Sequence, residues 1–262
     1  MSGQVALQAK ELTIQFGGLK AVSALDLTLE KGKIFGLIGP NGAGKTTVFN
    51  MLTGVYRPTS GDVLVNGASI VGLRPWQITR RGVARTFQNI RLFKDLSVLT
   101  NLVIAMDSDP ALPSWGLVAS VFRTKAVMTS EADKEDRAMD LLKIFRMDDR
   151  AHELARNLPY GDQRRLEIAR ALATGARTLL LDEPAAGLNH SETHDLMKTI
   201  SEIRQKFNAT ILLIEHDMKL VMGICERITV LDYGVKIAEG DAKEIQRNPK
   251  VIEAYLGKAA VT

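Results

Sequence analysis

The sequence predicts an α/β fold with a mainly parallel sheet, an antiparallel β subdomain and an inserted helical subdomain. Three observations lead to this prediction. First, apolar runs typical of buried strands alternate with helical patterns, and strands separated by helices pair in parallel. Second, the strand patterns in the opening residues, about 1–30, and at 228–239 favour antiparallel pairs. Third, between about 90 and 175 the strand patterns give way to helical spacing and loops.

Length and composition favour a single domain over residues 1–262. Hydrophobic residues make up 45% of the chain, which is enough for a substantial core. The 34 basic and 30 acidic residues give a net charge of +4, and the basic residues are scattered apart from short pairs such as Arg80/Arg81 and Arg164/Arg165. This charge is too dilute for a nucleic-acid footprint, so no nucleic-acid partner is predicted.

The chain also indicates its compartment. Its single cysteine, Cys225, cannot form an internal disulfide and is predicted to lie in the core, and the N-terminus lacks the pattern of a signal peptide. The longest apolar stretches, such as Trp115–Phe122, fall short of the roughly 20 residues that cross a bilayer. We therefore expect a cytoplasmic protein whose partners supply any membrane part.

Apolar spacing sets the individual elements. Leu25, Leu27 and Leu29 alternate with polar residues, as in a half-buried strand, and the continuous run 34–38 is typical of a strand buried on both faces. Further buried strands are predicted at 178–181, 211–214 and 228–231, helices at 46–52, 191–207 and 217–225, and a hairpin turn at 232–234.

The helical subdomain is predicted to cover about 90–175. Apolar residues recur at helical spacing in 132–147 and 163–173, and both segments are expected to be helices. Pro110 and Pro113 break the region 107–114 into a loop. We expect these helices to be inserted into the α/β core.

A glycine-rich loop supplies the strongest functional signal. Residues 39–46 match GxxxxGK[ST] directly after the predicted strand 34–38 and before a helical stretch, which is the P-loop arrangement. Backbone N–H groups of such a loop surround phosphate oxygens, and the helix start adds its positive dipole end. Lys45 is expected to reach the β and γ phosphates, and Thr46 to place its hydroxyl on Mg²⁺. The predicted nucleotide-binding residues here are Gly39, Pro40, Asn41, Gly42, Ala43, Gly44, Lys45, Thr46 and Thr47.

Two carboxylates and a histidine follow buried strands. Asp182 and Glu183 end the apolar run 178–181, and His216 follows the run 211–214 by two residues. The carboxyl ends of parallel strands meet at one sheet edge, where ligands bind. Asp182 is the predicted metal-side residue and Glu183 the predicted general base, while His216 is expected to face the γ-phosphate. The remaining histidines, expected to be structural or on the surface, are His152, His190 and His194.

The order of five motifs resembles the ATP-binding subunit of an ABC transporter over essentially the whole chain. The motifs are the phosphate loop, Gln88, the loop 158–162 (LPYGD), LLLDEP and His216. In that family the loop usually has the sequence LSGGQ and completes the ATP site of the opposite subunit. Here Leu158 and Gly161 match, whereas the other three positions carry Pro159, Tyr160 and Asp162.

These departures leave two interpretations of the loop. It is either a functional variant signature or a degenerate one, and the first is favoured because every catalytic position carries its expected side chain. The helix predicted to start near Asp162 still offers its dipole to phosphate, although the carboxylate would oppose a triphosphate if it pointed that way.

The resemblance implies further roles. Phe16 falls where the family places an aromatic ring against adenine, with Val22 beside it. Gln88 resembles the residue that touches Mg²⁺ or the attacking water and reports the nucleotide state to the membrane subunit. Asn189 replaces the family's more usual Asp in the loop that would signal across the dimer.

Within the family, the chain looks most like subunits of bacterial branched-chain amino acid uptake systems. The segments that carry this likeness are ARTFQNIRLFKDLSVLTNL, RRLEIARALA and NPKVIEAYLG. Related exporters of lipopolysaccharide share much of the pattern and remain an alternative. A soluble ABC ATPase acting on nucleic acid or ribosomes is disfavoured because the chain has neither a long coiled coil nor a second cassette. A P-loop kinase or switch GTPase is disfavoured because the guanine motif NKxD is absent from the sequence.

The resemblance also implies how the chain works with partners. Two ATP-binding subunits, alike or unlike, would sandwich two ATP molecules with Mg²⁺, and the segment 88–105 would receive a helix of the transmembrane permease. A substrate-binding protein would act indirectly, and the chain would sit on the inner face of the cell membrane.

Overall fold

The computed structural model describes residues 4–112 and 125–256, apart from the side chains of 125–130, and builds them into two sheets and their covering helices. The strands are β1 Val5–Phe16, β2 Leu19–Glu30, β3 Ile34–Ile38, β4 Ser60–Val65, β5 Ala68–Ser69, β6 Val83–Arg85, β7 Thr178–Asp182, β8 Thr210–Ile214, β9 Arg227–Asp232 and β10 Val235–Gly240. The helices are α1 Lys45–Leu52, α2 Pro75–Arg80, α3 Val98–Met106, α4 Lys125–Phe145, α5 Tyr160–Ala173, α6 His190–Phe207, α7 Met218–Ile224, α8 Ala242–Arg247 and α9 Pro249–Leu256.

The larger sheet confirms the predicted parallel core. Its strand order is β10-β9-β3-β8-β7-β6, and every pair is parallel except β9–β10. The carboxyl ends of β3, β6, β7 and β8 therefore lie along one edge, which brings together the segments that follow them in the chain. This edge carries the candidate active site.

Alternate residues of the central strands face different layers, which explains their unbroken apolar runs. In β8, Ile211 and Leu213 belong to the core on one side of the sheet, whereas Leu212 and Ile214 belong to the core on the other. A strand covered on both faces needs apolar side chains in both directions. Cys225 lies in the first of these cores with 8% of its surface exposed, as predicted, and burial raises the pKa of its thiol.

The antiparallel prediction is confirmed for both segments, but they lie in different sheets. Strands β1 and β2 pair antiparallel, and β4 and β5 join them in the order β2-β1-β4-β5. The β9–β10 hairpin instead extends the larger sheet, because β9 also pairs in parallel with β3. Its turn is shorter than predicted: Asp232 still pairs with Val235, which leaves Tyr233 and Gly234 as the turn residues.

The segment between β6 and β7 contains the predicted helices with shifted starts. Helix α4 begins at Lys125, seven residues before the predicted 132, and α5 begins at Tyr160 rather than near Asp162. The loop predicted at 107–114 follows α3, although Pro113 and the apolar stretch 115–122 lie outside the described residues. Among the residues that the structure describes, no helix has the length and apolar character needed to cross a membrane.

Candidate active site

The phosphate loop connects β3 to α1 and depends on glycine conformations. Gly39 has φ 151° and Gly44, the N-cap of α1, has φ 99°. A Cβ at Gly39 would strike the carbonyl oxygen of Leu231, and one at Gly44 would lie 2.8 Å from the carbonyl oxygen of Ala21. Carbonyl groups of the neighbouring strands therefore lie against the loop and leave no room for a side chain at either glycine. The two glycines let the backbone take the curved conformation that binds phosphate oxygens.

Lys45 sits inside this curve. Its Nζ donates to the carbonyl oxygens of Gly39 at 2.7 Å and Pro40 at 3.0 Å. Burial lowers the pKa of Lys45, and the nearby carboxylates of Glu183 and Asp182 oppose that effect. The ammonium is therefore placed between the loop and the acidic sheet edge, where a nucleotide's phosphates would lie.

Asp182, the predicted metal-side residue, ends β7 and is 5% exposed. Its Oδ2 accepts from Arg85 Nη2 at 2.6 Å, while Arg85 Nη1 donates to Asn50 Oδ1 of α1 at 2.6 Å. The guanidinium also lies over the rings of Phe49 and Phe87, at 5.5 and 5.1 Å from their centroids. Arg85 was not predicted from the sequence. The feature that could have indicated it is its position as a charged residue at the end of the short strand β6.

The predicted base, Glu183, lies beside Gln88 and His216. Gln88 Nε2 donates to Glu183 Oε2 at 3.1 Å, and His216 Nδ1 is 3.9 Å from the same oxygen. Glu183 adopts φ 46°, a left-handed conformation that costs a non-glycine residue roughly 1–3 kcal/mol. Its N–H donates to the carbonyl oxygen of Ile214 at 2.9 Å, which ties the strained residue to the neighbouring strand. Three residues far apart in the sequence thus meet within hydrogen-bonding reach or slightly beyond it.

A buried ion pair of α5 holds the segment around Gln88. Arg164 is 0% exposed and Glu167 3%, and Arg164 Nη1 lies 2.8 Å from Glu167 Oε2. Arg164 donates to the carbonyl oxygens of Phe87 and Gln88, and Glu167 Oε1 accepts from the N–H groups of Phe87 and Arg91. The pair therefore ties the backbone around Gln88 to the helix that carries the loop 158–162, while Arg164 Nε has no hydrogen-bond partner among the described residues.

The loop 158–162 differs from expectation in where its helix starts and where its acid points. Pro159 is the N-cap of α5, so the helix begins two residues earlier than predicted, with the backbone N–H groups of its first turn near Tyr160. The Asp162 carboxylate is paired with Arg150 at 3.0 Å and with Arg165 at 3.5 Å. These two cations offset the charge that would oppose a triphosphate.

The segment that follows the acid pair packs against this loop at Gly187. The ring of Tyr160 packs so close to Gly187 that a Cβ there would lie 3.1 Å from Tyr160 Cε1. Asn189 caps α6 by accepting from the N–H of Glu192, whose side chain accepts from the N–H of Asn189 in return. The residue found in place of the usual Asp therefore acts as the N-cap of α6 through its Oδ1.

Of the two residues expected beside adenine, Phe16 is exposed and Val22 is buried. Phe16 is 47% exposed and packs edge-on against Tyr56, with 5.4 Å between ring centroids. Val22 is fully buried in the core next to Gly44, so it supports the phosphate loop from below rather than offering a surface to a ligand. The three remaining histidines are all exposed: His152, His190 and His194.

Fold and site together define a P-loop ATPase, and comparisons with known proteins give its family. A family model described as ABC transporter matches residues 22–186, and one described as branched-chain amino acid ATP-binding cassette transporter matches residues 235–261. The chain therefore belongs to the ABC transporter family, whose ATP-binding cassettes hydrolyse ATP for transport.

Similarity to individual proteins extends over the full chain. The chain is 48% identical over 256 residues to the high-affinity branched-chain amino acid transport ATP-binding protein LivG of Escherichia coli. This match covers 98% of this chain and 99% of LivG. The lipopolysaccharide export system ATP-binding protein LptB of Escherichia coli is 32% identical over 252 residues, covering 96% and 97%. The crystal structure of the ADP conformation of MJ1267, an ATP-binding cassette of an ABC transporter, is 29% identical with a TM-score of 0.82, covering 97% and 99%.

Proposed function

We propose that this chain is the ATP-hydrolysing subunit of a bacterial ABC importer for branched-chain amino acids. The observation that carries the proposal is the 48% identity to LivG over nearly the full length of both chains. The match of residues 235–261 to the branched-chain cassette model supports it from a part of the chain outside the ATP-binding motifs. The exporter alternative is disfavoured, since LptB is only 32% identical over a similar length.

The site's donors fit a magnesium ion together with ATP. Oxygen ligands are what Mg²⁺ prefers, and the Thr46 hydroxyl, the Gln88 amide oxygen and the Asp182 carboxylate all belong to segments at the same sheet edge. Among the described residues, Arg85 bonds Oδ2 of Asp182, and Oδ1 would be available to help hold the ion. Bound Mg²⁺ would neutralise charge on the β and γ phosphate oxygens.

Hydrolysis then follows from the arrangement of protein groups. Glu183 accepts a proton from a water as that water attacks the γ-phosphorus, the bond to the β–γ bridging oxygen breaks, and ADP and phosphate are formed. Gln88 orients the carboxylate through its Nε2, and Lys45 and His216 stabilise charge on the γ-phosphate. Phe16, exposed beside Tyr56, supplies a face for adenine.

The loop 158–162 serves a second ATP-binding subunit, either a copy of this chain or an unlike one. Each ATP lies between the phosphate loop of one subunit and the α5 N-terminus of the other. The pairing of Asp162 with Arg150 and Arg165 supports a competent variant signature, because the first turn of α5 keeps its favourable field for phosphate.

The permease docks on the segment 88–105, on the inner face of the membrane. Phe93 and Ile104 of this segment are 49% and 38% exposed, which offers an apolar contact to a helix of the permease. Because Arg164 and Glu167 hold the loop around Gln88, a change at the nucleotide is carried to this surface. A substrate-binding protein delivers the amino acid to the permease without touching this chain, and no nucleic acid takes part.

The test is transport by the assembled system. The chain is purified with its permease subunits into lipid vesicles, with ATP on the side of this chain and substrate-binding protein on the other, and uptake of radiolabelled leucine, isoleucine, valine and lysine is compared. We expect ATP-dependent uptake of the three branched-chain amino acids and none with Glu183→Gln. Robust ATP hydrolysis without uptake of any of the three would contradict the proposed cargo.

A further inference from the structure

Glu215 is a buried carboxylate to which the hydrolytic mechanism assigns no role. It lies between the end of β8 and His216, and its side chain is 0% exposed. Burial raises the pKa of its carboxyl group, while hydrogen bonds from the N–H groups of Ala185 and His216 oppose that rise. Among the described residues, the basic side chain paired with it is His216, whose Nδ1 is 3.8 Å away.

Burying a carboxylate costs free energy, and the hydrogen bonds that compensate for this cost indicate which parts of the structure Glu215 holds. Removing an ionised carboxylate from water costs several kcal/mol unless charge partners or donors compensate. Glu215 Oε1 accepts from the N–H of Ala185 at 2.8 Å, and Oε2 accepts from the N–H of His216 at 3.2 Å. Both donors are backbone groups of the two segments that carry the base and the histidine.

The bond to Ala185 supports a strained turn. Glu183 has φ 46°, and its own N–H donates to the carbonyl oxygen of Ile214, the residue before Glu215. The turn that begins at Glu183 is thus attached to the end of β8 at two points, one a backbone carbonyl and one a carboxylate. A strained conformation persists only where its surroundings fix it, and these two bonds do so.

We propose that Glu215 is a positioning residue for ATP hydrolysis: its carboxylate joins the Glu183 turn to the backbone of His216, so that the base and the histidine approach the γ-phosphate as one unit. This inference rests on the proposed roles of Glu183 and His216. Because its side chain is fully buried, Glu215 acts through the two segments it holds.

Two variants separate this role from ordinary core packing. Glu215→Gln keeps one carbonyl oxygen for the Ala185 N–H but presents an amide donor in place of the second oxygen. Glu215→Met fills a similar volume and accepts neither hydrogen bond. Since a hydrogen bond to a charged acceptor is worth a factor of roughly 10 to 100, we expect kcat to fall on the order of 10- to 100-fold in Glu215→Met and several-fold in Glu215→Gln. KM for ATP should stay within about twofold of wild type in both, because the phosphate loop is untouched.

The experiment measures steady-state ATPase activity of the purified chain with its ATP-binding partner, together with binding of a fluorescent ATP analogue. Wild-type kcat in Glu215→Met, equal losses in the two variants, or a raised KM with unchanged kcat would each overturn the proposal. If Glu215→Met does not fold, a double-mutant cycle of Glu215→Gln and His216→Ala replaces it. A fold-loss of kcat in the double variant that is smaller than the product of the two single losses would support coupling between the residues. A loss equal to that product would overturn the proposal. Glu183→Gln, measured alongside, separates the two failures: full activity there would refute the proposed base, whereas an inactive Glu183→Gln together with wild-type kcat in Glu215→Met would refute the role of Glu215 alone.

Discussion

Replacing Arg85 with methionine should destabilise the protein strongly, because it leaves a carboxylate buried without its cation. The side chains of Arg85 and Asp182 are 6% and 7% exposed, and they meet at 2.6 Å. Removing one partner of a buried ion pair costs about 3–5 kcal/mol, and the lost bond to Asn50 and the contacts with the two phenylalanine rings act in the same direction.

The assay is urea denaturation followed by circular dichroism. With a slope of about 3 kcal/mol per molar urea, the expected loss moves the midpoint down by about 1–1.7 M. The matched control is the double variant Arg85→Met/Asp182→Leu, in which neither charge remains; its free energy of unfolding should recover most of the loss, because apolar pairs replace buried ion pairs at little cost.

Two results would refute this reasoning. A loss below about 1 kcal/mol in Arg85→Met would mean that Asp182 reaches water or another partner when the arginine is absent. A double variant as unstable as the single one would mean that the penalty comes from packing and not from the unpaired carboxylate.

Three further substitutions test other parts of the site. Gly39→Ala should abolish ATP binding, because its Cβ would strike a backbone carbonyl, whereas Gly72→Ala, also at positive φ but with no atom nearby, should bind ATP normally in the same fluorescence titration. Phe16→Ala should raise the Kd for ATP by roughly 5- to 100-fold if the ring stacks on adenine, with the exposed Trp76→Ala as control; equal affinities would contradict the stacking. Arg164→Met should lower the free energy of unfolding by about 3–5 kcal/mol and increase amide hydrogen exchange at 87–91, and unchanged exchange there would show that the ion pair does not hold this loop.

Local sequence patterns were sufficient for the parts of the fold that depend on short-range chemistry. The glycine loop, the apolar runs of β3, β7 and β8, and the helix α6 follow from spacing within a few residues, and the structure places them as predicted. The start of α5 was misplaced because an acidic residue, Asp162, marked the first turn more clearly than Pro159, which in the structure is the N-cap.

Side chains that act through distant partners could not be predicted in this way. Arg85 meets Asp182 across 97 residues, and Arg164 meets the backbone of Phe87 across 77, so neither pairing leaves a local pattern. The charge of Asp162 is likewise offset by Arg150, whose position beside the carboxylate depends on how the chain folds between the two residues. Asn189 is different, since the spacing of Asn and Glu three residues apart is a capping-box pattern that the sequence already contained.

The central claim is that this chain hydrolyses ATP with Glu183 as the base, and one measurement tests it most directly. ATPase activity is compared for wild type, Glu183→Gln and the exposed control Glu131→Gln, each with its ATP-binding partner, with light scattering in ATP and Mg²⁺. We predict that Glu183→Gln loses activity by on the order of 10²- to 10⁴-fold, still binds ATP and stays associated with its partner, while Glu131→Gln matches wild type. Hydrolysis by Glu183→Gln within about tenfold of wild type would contradict the account, because a general base contributes more than that.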